Sequence, residues 1–421
     1  TGFMPNTSGL YSNSSNMLDS PLVQANATLP EYFSRHGYHT LSCGKIAHVH
    51  NTANGTDFGH WMYDEWVQSK GSGRVNPEHL VSREENIVWG KTMADTPNTA
   101  RKGSPFRYGI ISSETEKTKD YQISQWGAEQ LQRDFEKPFF MALGFSKPHL
   151  PFFSPQEFWD LFPEEGDYLP EIKEDDLTDI FKEDGKPFRT VKSLDYLWLE
   201  EQGLLNEASR AYLACVAYID HCFGVVLDAL ESSEHAANTI VVLWGDHGWH
   251  LGEKLRFRKA ELWSEATRSP LMIRTPDMSG QKNCMRPVNL IDLYPTLVDY
   301  CGLPQKPNID GRSIVPLLKE PAKKWQPTIT VQQGGGASVH DEEWNLIVRD
   351  KGVRELYHLK NDPMEWTNLA NDPAHQETWD RLVKYAQVPF APLITDEKKS
   401  DKKGTVPDAI IRPAREKVEL E

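Results

Sequence analysis

Short apolar runs that break off into charged turns constrain this chain more than any other feature. Tyr38–Ser42 leads into Cys43-Gly44-Lys45, and the β-branched Thr239–Leu243 leads through Trp244-Gly245 into Asp246-His247. Phe139–Phe145 is a third such run, followed by Lys147-Pro148-His149. Runs this short, bounded by turn residues, read as buried strands. Helical patterns lie between them: Leu29–His36 stopped by Gly37, Asp120–Phe135 broken by Lys137-Pro138, Asn206–Glu231, and Pro287–Cys301 closed by Gly302. Leu271–Arg274 reads as a further strand. Alternation of this kind predicts an α/β fold with a mostly parallel sheet flanked by helices. In such sheets ligands bind beyond the carboxyl ends of the strands, where these charged turns lie.

The 421 residues suffice for one large core and a smaller unit. Apolar content of 38% and charged content of 25% place the chain among globular rather than disordered sequences. From about Ala322 the pattern changes. Thr328–Gln332, Trp344–Arg349 and Glu355–Leu359 read as antiparallel strands, a helix follows near Glu377–Gln387, and a Lys-rich tail begins at Thr395. The expected division is 1–321 and 322–421, the second a small α+β subdomain. Asn51–Ser112 and Asp160–Trp198 read as long loops, which in compact domains often face substrate.

The net charge of −15 argues against a nucleic-acid partner. The longest apolar runs, such as Ala211–Ile219, fall short of the ~20 residues of a membrane helix. Five cysteines cannot all pair internally, and free buried thiols are the expectation, although Cys284–Cys301 is a geometrically possible bridge. Asn6, Asn13, Asn26 and Asn54 each open a glycosylation acceptor pattern of the kind that arises easily by chance. The oligomeric state has no signature in the sequence.

Three turns carry candidate chemistry. Asp246-His247 after a buried strand suits a divalent cation, with an Asx-type turn as the plain alternative. The cationic stretch Lys254-Leu-Arg256-Phe-Arg258-Lys259 follows, and alternation would place residues 254, 256 and 258 on one strand face. It reads as an anion site or as a solvated basic edge. Lys45 and His48 share a face if the turn after Gly44 is helical, offering a point charge and a proton-transfer group. His149, held between two prolines, suits a general acid or a structural histidine in a stiff loop.

In this order, these blocks resemble the type I sulfatase family of the alkaline-phosphatase-like superfamily, closest to its iduronate-2-sulfatase-like branch. The similar blocks are Gly44-Lys45-Ile-Ala-His48, Lys147-Pro148-His149-Leu-Pro151-Phe152 and Asp246-His247-Gly248-Trp249-His-Leu-Gly252-Glu253, with Lys259 beyond. Asn289–Leu297, Asp310-Gly311 and Leu356–Leu369 resemble the closing segments of the family. The resemblance implies an alkaline-phosphatase-like fold and hydrolysis of sulfate esters on a carbohydrate such as a polysaccharide or glycosaminoglycan. It implies a divalent cation, calcium in most of the family, on Asp246 and His247. It implies sulfate contacts from Lys45 and Lys259, assistance to a formylglycine hydrate from His48, and a proton for the leaving oxygen from His149. His250, Arg256 and His340 are candidate substrate contacts. The family's formylglycine nucleophile derives from a Cys or Ser in a Cys/Ser-x-Pro-Ser-Arg block running into Thr-Gly. Thr1-Gly2-Phe-Met-Pro5 resembles the tail of that block, so the nucleophile and two aspartate ligands are expected upstream of Thr1. A chain without them should show no turnover. Secreted, periplasmic or lysosomal residence is expected by resemblance. The competing expectations are a phosphatase or phosphodiesterase of the same superfamily and a non-catalytic carbohydrate-binding homologue.

Overall fold

Thr28 and Glu31 form a reciprocal capping box that starts the helix Leu29–Arg35, and Gly37, at φ 87°, turns the chain into the strand His39–Gly44. The computed structural model describes residues 1–11, 17, 20–47, 62–67, 80–82, 106–188, 192–332 and 334–394. His39–Gly44 pairs in parallel with Glu65–Val67 on one side and with Phe139–Gly144 on the other. The register of the second pair runs from His39 opposite Phe139 to Gly44 opposite Gly144, so both strands end at one level. The helix Lys119–Gln130 packs on this sheet.

Val241–Trp244 belongs to a separate pair. It runs antiparallel to Leu271–Arg274, with Trp244 opposite Leu271. The mostly parallel expectation therefore holds for the Lys45 strand but not here. No long crossover helix lies between residues 244 and 271, and a parallel return needs one. Among the described residues, Phe139–Gly144 and Val241–Trp244 each have one partner strand and one open edge. All six residues of Phe139–Gly144 are only half-buried, and Trp244 and Met272 are exposed.

The 27-residue helix Leu205–Glu231 would be long and apolar enough to cross a membrane by length and composition. Reading only the run Ala211–Ile219 underestimated it. Its small residues Ala208, Ala211, Ala214 and Cys215 instead pack into the core beside Phe106, Phe152 and Trp198. Small side chains on that face let the helix approach the aromatic layer closely.

The C-terminal part is a four-stranded antiparallel sheet of Thr328–Val331, Ala337–His340, Trp344–Val348 and Arg354–His358, in that order. The sequence reading missed Ala337–His340, a strand entered through Gly334-Gly335-Gly336. The helix Gln376–Ala386 covers the sheet with Trp379 and Leu382, against Val339, Leu346 and Leu356. Ile347, Val353 and Tyr357 join Leu255, Leu262 and Trp263 in one cluster, so this sheet shares a core with the first part.

All five cysteines are free, and Cys284 and Cys301 do not bridge. Asn6 is buried with its amide donating to the Pro389 carbonyl, and the Asn26 amide donates to Leu22 while its oxygen accepts from Lys306. Asn13, Asn54 and the tail from Thr395 lie outside the described residues, as does most of Asn51–Ser112.

Two substitutions test this architecture. Glu355 is fully buried and accepts from Arg349 Nε, Trp263 Nε1 and Tyr357 OH at 2.7, 2.7 and 2.8 Å. Glu355→Ala strands a buried guanidinium and should cost roughly 3–5 kcal/mol in chemical denaturation. A loss inside the ~0.5 kcal/mol scatter of surface substitutions would show that the cluster does not hold the two parts together. At Gly144 a Cβ would lie 1.7 Å from the Lys45 carbonyl oxygen. Gly144→Ala should therefore destabilise by about 1–3 kcal/mol as the two strand ends separate. An unchanged melting temperature would contradict that close approach.

Candidate active site

Lys45 leaves the end of its strand with its backbone N–H donating to the Gly144 carbonyl at 2.6 Å. That bond sets the Lys45 turn directly beside the chain leading to His149. Asp120, buried on the helix Lys119–Gln130, holds this second chain. Its carboxylate accepts from the backbone N–H of Ser146 and Lys147 at 2.9 and 3.1 Å. Lys147 folds back onto its own loop, donating to the Pro151 carbonyl at 2.5 Å. Both Lys147-Pro148 and Leu150-Pro151 are cis. Sequence reasoning missed Asp120, whose spacing to residues 146 and 147 follows no local motif.

Asp246 and His247 emerge from Val241–Trp244 on the same side. Lys45 Nζ lies 3.7 Å from Asp246 Oδ2, and His247 Nε2 lies 3.5 Å from Asp246 Oδ1. Lys259 Nζ reaches His247 Nε2 at 2.5 Å and sits 5.7 Å above the Trp249 ring. The His149 ring stands edge-on to Trp249 at 5.5 Å and to His247 at 6.3 Å. The structure thus brings together Lys45, His149, Asp246, His247 and Lys259. His48 lies outside the described residues.

The local hydrogen bonds decide the tautomers. His149 Nδ1 donates to the Leu150 carbonyl at 2.7 Å, and His247 Nδ1 to the Gly248 carbonyl at 2.8 Å. In the neutral rings both Nε2 atoms then carry the lone pair. Burial pushes His149 down to about 4; the Leu150 bond opposes this, and the charges of Lys259, Lys45 and His247 add to it. Burial lowers the Lys259 ammonium to about 8, against the pull of Asp246 and with the push of Lys45 and Arg258. Burial disfavours ionised Asp246, but His247, Lys45 and Lys259 together outweigh it and hold the carboxyl below its usual range. His247 is lowered by burial and by its lysine neighbours, and raised by Asp246.

An anionic carboxylate and an imidazole Nε2 lone pair are suitable donors to a divalent cation. They are two donors, however, and a hard cation takes six or more. Among the described residues no group of three or more His, Cys, Asp or Glu side chains is placed to hold a metal. Asp246 and His247 therefore fit part of a metal shell.

The basic stretch behaves differently from its alternating pattern. Only Phe257–Arg258 is a strand, and Lys254, Leu255 and Arg258 have left-handed φ, which breaks the alternation. Lys254 is buried on Asp176, Arg256 turns to Glu261 at 3.6 Å, and Arg258 pairs with Asp195. Lys259 alone of this stretch reaches the site. The three candidate substrate contacts also lie in packing. His250 is fully buried, edge-on to Trp263 at 6.2 Å. Arg256 is nearly buried and also donates to the Leu255 carbonyl. His340 Nε2 lies 3.4 Å from Ser264 Oγ, and burial pushes its ring down to about 4. His250 pairs with Arg258 in a short antiparallel ladder, and His340 meets the Lys259 loop at its far end.

Comparison with known proteins gives the family. The sulfatase family model matches residues 1–303, and the model of the N-sulphoglucosamine sulphohydrolase C-terminal region matches 245–387. A sulfatase of Formosa agariphila is 32% identical over 94% of this chain and 79% of its own length. Mouse iduronate 2-sulfatase is 28% identical over 73% of this chain and 59% of its own. Among solved structures, a 2-O GAG sulfatase aligns with a TM-score of 0.63 at 18% identity, covering 98% of this chain and 83% of its own. A phosphonate monoester hydrolase of Agrobacterium radiobacter aligns with a TM-score of 0.60 at 19% identity, over 91% and 85%. At such identities these two likenesses speak to fold alone, which is the sulfatase α/β fold. With the family model spanning most of its length, the chain belongs to the sulfatase family of sulfuric ester hydrolases.

Proposed function

We propose that this protein removes sulfate from a sulfated carbohydrate, using the group Lys45, His149, Asp246, His247 and Lys259. The observation that carries this is the convergence of two ammonium groups and two imidazoles, Lys45, His149 and His247 from beyond three strand ends and Lys259 from the loop after Phe257–Arg258, in a protein of net charge −15. A sulfate monoester is a stable anion. Its hydrolysis needs fixed positive charge around the sulfuryl oxygens and a proton for the departing alkoxide. Lys45, beside Asp246, and Lys259, beside His247, supply the charge. His149 Nε2 supplies the proton. The ring is neutral in the free protein, and an arriving sulfate, being anionic, favours its protonated form. His48, next along the Lys45 chain, belongs to the same proposal.

Calcium is the proposed cation, held by Asp246 and His247 with further carboxylates. The nucleophile proposed with it is a formylglycine. The C-terminal sheet from about residue 322 is proposed as a small α+β subdomain packed on the first part. Relatives include a structure solved with its substrate D-glucosamine-2-N,6-O-disulfate, which supports a sulfated sugar as the substrate class here. Export from the cytosol is part of the same proposal.

The decisive measurement is sulfate release, by ion chromatography, from a panel of sulfated mono- and oligosaccharides. The protein is expressed from its full coding sequence. Sulfate release without phosphate release from matched phosphate esters is expected, with Lys259→Ala lowering kcat/KM by about 10²–10³-fold, as for loss of one transition-state contact. Preference for the phosphate esters, or equal turnover by Lys259→Ala, would overturn the assignment.

A further inference from the structure

Lys259 reaches the site on a loop that gathers more positive-φ non-glycine residues than any other stretch among the described residues. Lys254, Leu255, Arg258 and Ala260 all have positive φ, at 55°, 53°, 100° and 71°. Non-glycine residues adopt such angles at a cost and keep them only where the surroundings impose them. Here the surroundings are specific. The buried Lys254 ammonium donates to Asp176 Oδ1 at 2.8 Å and to the backbone carbonyl of Glu365, between the rings of Tyr357 and Trp263. At the other end of the loop, the backbone N–H of Ser264 donates to Glu365 Oε2 at 3.0 Å, and its hydroxyl to Glu365 Oε1 at 2.6 Å. Asn345 Nδ2 donates to the same carboxylate at 2.6 Å.

One fully buried residue of the C-terminal part therefore grips both ends of the segment that carries Lys259: its carbonyl holds Lys254, its carboxylate holds Ser264. Between those anchors, Arg258 is fixed to Asp195 and the Ala260 carbonyl to Gln332 Nε2 at 2.8 Å. We propose that Glu365, with Lys254 and Ser264 as its two holds, is the positioning residue that fixes Lys259 for the sulfate group. This rests on the role given to Lys259 above. Glu365 touches no substrate; it acts through the loop. An ammonium displaced by an ångström loses most of its advantage in a site built on fixed charges.

The test is a double-mutant cycle on inorganic sulfate affinity, measured by calorimetry on the purified chain, with thermal melts alongside. Glu365→Gln leaves the carbonyl and removes one of the two acceptor oxygens. It should weaken sulfate binding about 5–10-fold, and Lys259→Ala by about 10-fold or more. In the Lys259→Ala background, Glu365→Gln should change the affinity less than about 2-fold, because it has no ammonium left to misplace. Ser264→Ala, a smaller change, should weaken sulfate in the same Lys259-dependent way, and it decides the matter if Glu365→Gln does not fold. Wild-type affinity in the folded Glu365 and Ser264 variants overturns the proposal, as do losses that multiply with that of Lys259→Ala. Wild-type affinity in Lys259→Ala is a different failure. It overturns the role of Lys259 itself.

Discussion

The site depends on one close approach between two chains. Gly44 and Gly144 stand opposite each other at the ends of parallel strands, and the Lys45 N–H bonds the Gly144 carbonyl. A methyl group at Gly144 would occupy the space of the Lys45 carbonyl. The bond therefore needs glycine, and the placement of both Lys45 and the His149 loop needs the bond. Asp120 secures the next two residues of that loop by their backbone N–H groups, so the loop is held from the sheet on one side and from a helix on the other.

Electrostatics then set what the pocket prefers. Two lysines and two histidines crowd around a single carboxylate, and burial disfavours the charged forms of His149, His247 and Lys259. Burial holds Lys259 to about 8 and His149 to about 4, and the neighbouring cations add to both shifts. A negative ligand relieves that repulsion, and it does so for all four groups together. The same crowding rejects a further cation unless more carboxylates join Asp246. Lys45 and Lys259 already sit against the two donors that Asp246 and His247 offer.

Much of this was legible in the sequence, for physical reasons that differ from place to place. The strands before Lys45, His149 and Asp246 are apolar runs with abrupt charged endings, and that pattern needs no tertiary information. Local periodicity misled in the basic stretch. Residues 254, 256 and 258 alternate only in an extended chain, and the φ values of Lys254, Leu255 and Arg258 are imposed by partners at positions 176, 195 and 365. Asp120 and Glu365 were invisible as functional residues for a related cause. Each works through backbone groups distant in sequence, which no spacing rule encodes. The antiparallel return of Leu271–Arg274 and the strand Ala337–His340 were likewise decided by pairing, since both are short enough to read equally well as connections.

The junction between the two parts of the chain connects these observations. An isolated C-terminal sheet with its own helix could fold on Leu346, Leu356, Trp379 and Leu382. Yet its far side carries Asn345, Glu355, Tyr357 and the nearby Glu365, polar groups that pair among themselves and, across the junction, with Trp263, Ser264 and Lys254 of the first part. Buried polar groups are costly unless fully paired, and they pair in one geometry where apolar contacts would tolerate several. An apolar junction could have joined the two parts with equal strength. The polar one also fixes their register, and the loop that must not shift, the one bearing Lys259, is threaded through it.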